Sequence, residues 1–145
     1  MVYRSRSPHR TEVEVLRRRA GEFLEEARGA FKRGHYDLSC FFSEQAVQLY
    51  LKSVLLKRVG DYPRTHQVRL LLSEVSTDVP LEAINEFLRD NRARLSNLED
   101  AYLMARYTTK VYTKEDAEDM VRLADELVSM VERAVGLRDE IYEPA

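Results

Sequence analysis

Residues 34–56 read GHYDLSCFFSEQAVQLYLKSVLL, and this stretch decides the class of fold. Its apolar residues recur at helical spacing, and the stretch does not alternate between apolar and polar residues as a strand does. We predict a helix over about residues 35–59, ended by Gly60. Apolar residues cover more than one of its faces, so the helix is either the central element of a bundle or buries a second face against a partner.

Four further segments show apolar residues at steps of three and four. They are residues 11–34, which begin with a capping box at Thr11 and Glu14, a short segment at 67–75, residues 84–105, and residues 113–136. The sequence RDNRAR at 89–94 interrupts the third of these and predicts an exposed bend or a break around Asn91. The chain is therefore predicted to be all-α, an antiparallel up-and-down bundle of four long helices plus one short helix.

The chain divides into one domain with two short ends. Residues 1–10 lack periodicity and are rich in arginine, which predicts a flexible basic arm. The bundle itself is predicted over residues 11–136, and residues 137–145 are predicted to be a frayed tail.

Composition excludes several classes of protein. A chain of 145 residues can bury one ordinary core, and its single cysteine, Cys40, excludes an internal disulfide and a cysteine-based zinc site. No apolar run is long enough to span a membrane, and no N-terminal apolar segment is typical of a secretion signal, so we predict a cytoplasmic protein.

The charge is unevenly distributed. The first 114 residues carry 20 Lys and Arg against 15 Asp and Glu, whereas the last 31 carry 3 against 10. The acidic last helix either faces a basic protein partner or lines a neighbouring basic face of its own bundle.

The sequence carries no familiar catalytic or cofactor motif. There is no glycine-rich phosphate loop of either common type, no pair of histidines at helical spacing and no helical Glu-x-x-His motif. Cys40 lies in an apolar helix, where a buried and inert thiol is expected. We therefore predict no metal, no cofactor and no catalytic residue.

Four stretches together resemble one family. They are GHYDLSCFFSEQAVQLYLKSVLL, the sequence RTHQVRLLL at 64–72, the ARY at 105–107, and YTKEDAEDMVRLADEL at 112–127. Their order and spacing resemble those of HEPN domains (higher eukaryotes and prokaryotes nucleotide-binding), and the resemblance covers residues 11–135.

This resemblance implies an up-and-down helical bundle, a homodimer and a link to nucleotides or RNA, often beside a separately encoded minimal nucleotidyltransferase. Many HEPN proteins are metal-independent ribonucleases with an Arg-x4–6-His motif near a late helix. This sequence departs from that pattern, because His66 is its last histidine and none follows Arg106. This departure favours binding over ribonuclease activity.

Five residues are candidates for binding a nucleotide. Arg106 and Tyr107 stand at a helix end, where a guanidinium and a ring can hold a phosphate and stack on a base. His66 precedes a short helix, Lys52 can reach a phosphate from the second helix, and Lys110 follows Tyr107 in a segment rich in tyrosine. Each has a structural alternative: ring packing, capping of carbonyls, or a lysine head extended to solvent.

We predict a non-catalytic HEPN-like nucleotide-binding domain. The alternatives are a dimeric protein-interaction module without nucleotide affinity and, third, a metal-independent ribonuclease toxin whose catalytic pair is displaced.

Overall fold

The computed structural model describes the backbone of residues 2–79 and 82–142, and the side chains of 9–79 and 82–139. Six helices follow one another: α1 (Val2–Lys32), α2 (Tyr36–Val59), α3 (Val68–Asp78), α4 (Glu82–Asp90), α5 (Arg92–Tyr107) and α6 (Lys114–Tyr142). No strand occurs within these described ranges. The predicted all-α bundle is confirmed.

Helix α2 is the central element of the bundle. It packs against α1, α3, α5 and α6. Its residues Val47 and Leu51 are fully buried and join one continuous core with Leu71, Leu98 and Leu127. Its central position explains why apolar residues cover more than one of its faces, without requiring a second chain.

Two glycines shape the ends of α2. Gly34 (φ +78°) and Gly60 (φ +92°) lie in the left-handed region, where a side chain is strained. The amide of Gly60 donates to the carbonyls of Leu55 and Leu56, which ends α2 where the sequence predicts. The loop that follows runs to α3 and carries His66.

The predicted third long helix is divided at Asn91 into α4 and α5. The side-chain amide of Asn91 donates to the carbonyl of Phe87 at 3.1 Å, and its Oδ1 accepts from Arg94 at 2.8 Å. The backbone amide of Asn91 also donates to the Phe87 carbonyl at 3.0 Å, so both donors converge on the end of α4, and the backbone of Asn91 (φ −117°, ψ 22°) leaves the helical conformation there.

The last helix begins as its sequence predicts. The amide of Thr113 donates to the Asp116 carboxylate at 2.9 Å, and the amide of Asp116 donates to the Thr113 hydroxyl at 3.0 Å. This is a reciprocal capping box, and it satisfies two donors at the start of α6.

Both outer helices are longer than predicted. Helix α1 begins at Val2 rather than at Thr11, and α6 continues beyond Gly136 to Tyr142. Each residue added to an existing helix gains a backbone hydrogen bond at low entropic cost, so a capping box inside a helical segment does not have to start it. The side chains of residues 1–8 and 140–145 lie outside the described residues, and the division into arm, bundle and tail stays a prediction.

The acidic residues of α6 bond to arginines of the same chain. Arg17 bonds to Glu132, Arg28 to Asp125, Arg58 to Asp139, and Arg94 to both Asp119 and Glu126. Of the two interpretations of the acidic last helix, a basic partner or a basic face of its own bundle, the second therefore accounts for these acids.

No helix in the described part of the chain combines the length and apolar character needed to cross a bilayer. The cytoplasmic location stays a prediction.

Candidate functional site

Two helices and one loop bring cationic and aromatic side chains together on one side of the bundle. We call this set the α2–α5 cluster. It consists of Phe41 and Lys52 from α2, Tyr62, Arg64 and His66 from the loop before α3, and Tyr102, Arg106 and Tyr107 from α5. Within the described residues, the cluster contains four of the five sequence candidates.

Arg106 lies among three aromatic rings. Its guanidinium carbon is 5.0 Å from the ring centroid of Phe41, 4.5 Å from that of Tyr102 and 4.6 Å from that of Tyr107. Its Nε donates to the carbonyl of Tyr102 at 2.9 Å, near the end of α5. The side chain is exposed, and no described carboxylate forms a salt bridge with it. A guanidinium held by rings rather than by an acid keeps donors for an incoming anion.

His66 stacks on the same tyrosine. The rings of His66 and Tyr102 are 4.3 Å apart and nearly parallel, at 5°. The Nδ1 atom of His66 is buried and has no hydrogen-bond partner among the described residues. Tyr102 therefore contacts both an imidazole and a guanidinium.

Lys52 and Arg64 flank Tyr62. The Lys52 ammonium is 5.4 Å from the Tyr62 ring centroid, and the Arg64 guanidinium carbon is 4.4 Å from it. Burial is the main cause of a lowered pKa at Lys52. The negative charge of Glu44 acts to raise this pKa, and the positive charge of Arg64 acts to lower it. The ammonium donates to Oε1 of Gln48 at 2.9 Å and has no described salt bridge.

A buried acid, which the sequence did not single out, lies beneath the cluster. Glu44 is fully buried on α2. Its Oε1 accepts from the amide of Gln45 at 2.8 Å, and its Oε2 accepts from the amide of Gln48 at 2.6 Å. Burial raises the pKa of Glu44 to about 7, although the two amide donors and the charges of Lys52 and Arg106 oppose this.

The sequence does contain a signal for Glu44. Glu44, Gln48 and Lys52 are spaced at steps of four on a helix that is otherwise apolar on most sides, so they share one face. The spacing predicts their contact. It does not predict the burial, because that depends on the helices packed around α2.

The comparisons with known proteins agree with this architecture. Residues 13–134 match the model of the family described as HEPN domain. The chain belongs to the HEPN family. The resemblance inferred from the four sequence stretches is thereby confirmed.

Similar proteins cover most of this HEPN chain. A protein of Methanocaldococcus jannaschii named "Putative toxin MJ1304" is 29% identical over 130 residues, which cover 82% of this chain and 85% of that protein. The crystal structure of TT1696 from Thermus thermophilus is 25% identical with a TM-score of 0.68, and covers 84% of this chain and 97% of that one. The crystal structure of ST0689, an archaeal HEPN homologue, is 28% identical with a TM-score of 0.62 and covers 83% and 95%.

In this HEPN chain an arginine and a histidine contact the same tyrosine ring although no late Arg-x4–6-His motif exists. Arg106 comes from α5 and His66 from the loop before α3, and both contact the ring of Tyr102. A cation and an imidazole near one phosphate are the groups that ribonuclease chemistry uses. The fold thus places both groups against one ring, Tyr102, although they are 40 residues apart in the chain.

Lys110 lies against a different tyrosine. Its ammonium is 5.0 Å from the ring centroid of Tyr112, which is buried and whose backbone amide donates to Asp37 at 2.8 Å. Tyr112 therefore packs in the core and is not a stacking surface beside Arg106. No described contact joins Lys110 to the cluster, so Lys110 is the weakest of the candidates.

Three further observations on this HEPN chain point to no additional chemistry. Burial raises the pKa of the Cys40 thiol to about 12, so the thiolate that would act as a nucleophile is scarce at neutral pH. Within the described residues, no three His, Cys, Asp or Glu side chains are grouped as a metal site requires. A cleft of about 270 Å³ lies at the turn between α1 and α2, lined by residues 34–38, Val111 and Tyr112.

Proposed function

We propose that this HEPN chain binds a nucleotide or a short RNA through its phosphates and bases at the α2–α5 cluster, without breaking a bond in it. The observation that carries the proposal is Arg106, an exposed arginine held by three rings and by no described acid. Lys52 and Arg64 supply further positive charge around Tyr62.

The pairing of other arginines supports this choice of site. Arg69 is bound in a bidentate manner by Glu99, and Arg94 is held by Asp119 and Glu126. Those guanidinium groups are already occupied by carboxylates and stabilise the bundle. Arg106 can exchange water for a phosphate without first breaking an ion pair.

Tyr107 suits the base of the same ligand. It is 69% exposed although it contacts Arg106, so much of the residue is open to a ligand. Stacking of a base on an aromatic ring contributes about 1–3 kcal/mol in single-strand binding proteins. A guanidinium without a described acid partner beside an exposed ring suits ligands that carry both a phosphate and a base.

Replacement of Arg106 tests the site. Arg106→Ala is expected to weaken binding of ATP or a short RNA by about 10- to 100-fold, because a hydrogen bond to a charged group contributes about 1.5–3 kcal/mol. Binding is measured by isothermal titration calorimetry, preceded by a thermal-shift screen at low and moderate salt. Arg19→Ala is the matched control, since it removes one exposed positive charge from α1. Equal affinity of the wild type and Arg106→Ala would refute the assignment.

A ribonuclease toxin is the second candidate, favoured by the shared contact of His66 and Arg106 with Tyr102. The similar protein from Methanocaldococcus jannaschii carries the word toxin in its name. If the chain is a ribonuclease, RNA is cleaved in the presence of EDTA and His66→Ala abolishes the cleavage. The binding proposal expects intact RNA with the wild type, and gel analysis of labelled RNA separates the two.

Membership of the HEPN family supports a proposal of two protein partners, a second copy of the chain and a separately encoded minimal nucleotidyltransferase. Leu38 and Val111 are exposed large apolar residues that both line the cleft at the turn between α1 and α2, and they suit contact with another protein. The interaction-module alternative loses part of its basis, because several acids of α6 are paired within the chain.

A further inference from the structure

We propose that binding of an anion at the α2–α5 cluster is coupled to the uptake of a proton by Glu44. This inference rests on the proposed function and adds a residue that does not itself touch the ligand. It makes the affinity for the ligand depend on pH through a buried group.

The described hydrogen-bond donors to Glu44 are neutral side-chain amides. The carboxyl is fully buried, and its two oxygens accept only from the amides of Gln45 and Gln48. No described lysine or arginine forms a salt bridge with it. A buried carboxylate without an ion partner keeps a large desolvation cost, so the neutral acid competes with the charged form near neutral pH. The pKa of about 7 agrees with this geometry.

The charged groups that act on Glu44 belong to the proposed site. They are Lys52 on its own helix and Arg106 on α5. The loop before α3 adds Arg64 and His66 to the cluster. From α1 and α6, Arg17 and Glu132 contact α2 at Tyr50, where they bond to each other. On α3, Arg69 is held by Glu99 of α5.

These charges determine the sign of the coupling. Lys52 and Arg106 favour the ionised form of Glu44, and a bound phosphate partly neutralises both. The phosphate also repels the carboxylate directly. The complex therefore holds the proton on Glu44 more tightly than the free protein does, and binding takes up a proton from solvent where Glu44 is ionised in the free protein.

Gln48 provides a path from the proton to Lys52. With Glu44 ionised, Gln48 donates its amide to Glu44 and accepts from the Lys52 ammonium. A protonated Glu44 has a hydroxyl that needs an acceptor, and the Gln48 amide meets that need by rotating half a turn. Its NH2 group then faces the Lys52 ammonium, and two donors do not bond to each other. Protonation thus releases Lys52 from Gln48 toward the anion.

The test uses a 2′-O-methylated tetra-adenylate with hydroxyl ends, since its phosphodiesters do not titrate near neutral pH and the absent 2′-hydroxyl prevents cleavage. Its affinity for the wild type is expected to fall as the pH rises from about 6.5 to about 8.5, by at most about tenfold per pH unit for one proton. Calorimetry at about pH 7.5 in buffers of different ionisation enthalpy is expected to show net proton uptake by the protein.

Three variants identify the group responsible. Glu44→Gln is expected to lose the decline above pH 7 and the proton uptake, because the amide does not titrate. Glu82→Gln removes an exposed carboxylate of α4 and is expected to behave as the wild type. His66→Asn removes the imidazole of the cluster and is expected to retain the uptake that depends on Glu44.

A Glu44→Gln profile identical to that of the wild type would overturn this inference and leave the proposed function standing. Absence of wild-type binding at every pH, with ATP as well as with the tetra-adenylate, would overturn the proposed function and this inference together. A direct measurement avoids the variant altogether: the ¹³C shift of the Glu44 carboxyl, titrated in the wild type, is expected to report a higher pKa with the tetra-adenylate bound. An unchanged pKa in the complex contradicts the coupling.

Discussion

Glu44→Gln is expected to raise the melting temperature by roughly 6–12 °C at about pH 8 and to change it little at about pH 4. The wild type holds a carboxylate in a fully buried position at the higher pH, with only neutral amides as donors. The amide of the variant has nearly the same shape and carries no charge, so it avoids the desolvation cost.

The direction follows from the difference in pKa between folded and unfolded chain. Burial raises the pKa of Glu44 from the ordinary value of 4.5 to about 7, so the folded chain binds the proton more tightly. Its stabilising effect is fully present below the unfolded pKa and is lost as the pH rises through the folded pKa. The wild type is therefore expected to lose about 3 kcal/mol relative to the variant over that window, since one pKa unit corresponds to about 1.4 kcal/mol.

Urea denaturation of the wild type and of Glu44→Gln across the pH range measures the difference in their free energies of unfolding. Taking this difference cancels the contributions of the other titrating groups, which the two proteins share. Glu82→Gln is the control, because it removes an exposed carboxylate and is expected to change stability by little at any pH. A Glu44→Gln advantage of the same size at both ends of the range would contradict the prediction, because it would not depend on the ionisation of Glu44.

The second large effect is expected at Glu99. Glu99→Ala is expected to reduce the free energy of unfolding by about 3 kcal/mol, because it removes several hydrogen bonds to one buried charged acceptor. Glu99 accepts from the backbone amide of Arg69 at 2.7 Å, and from its Nε and Nη2 at 3.0 Å each. The residue before α3, Gln67, forms no side-chain cap, so Glu99 caps α3 from another helix.

Arg69→Ala tests the ion pair itself. It removes the two guanidinium bonds and leaves the buried Glu99 carboxylate with the backbone amide of residue 69 as its described donor, so it is also expected to destabilise the protein. Both variants are compared with the wild type by chemical denaturation. Unchanged stability of either variant would contradict the prediction. Since α3 begins two residues after His66, Glu99→Ala is also expected to weaken ligand binding at the cluster.

Local patterns predicted much of the fold. The apolar stripes predicted the positions of the helices. Gly60 predicted the end of α2 and the pair Thr113 and Asp116 predicted the start of α6, because a left-handed turn and a capping box depend on neighbours in sequence. The break at Asn91 was also predicted locally, from the sequence RDNRAR at 89–94. The start of α1 was misplaced because a capping box signals a favourable start without excluding a longer helix.

The candidate site was predicted in part. Arg106, Tyr107, His66 and Lys52 have chemistry that suits a nucleotide wherever they lie, and composition and resemblance were enough to select them. Their contacts depend on residues far apart in the chain: His66 meets Arg106 only through Tyr102, and Lys110 lies against Tyr112 instead.

The sequence alone was enough to predict an all-helical HEPN chain, since helix formation and the family motifs both depend on the spacing of residues that are near one another in the chain. Packing established the rest. It showed that the many-sided apolar surface of α2 is buried by four neighbouring helices, and that the acids of α6 pair with arginines elsewhere in the chain. It also gave Glu44 a pKa near neutrality, because desolvation depends on what surrounds a carboxyl in space and not on its neighbours in sequence.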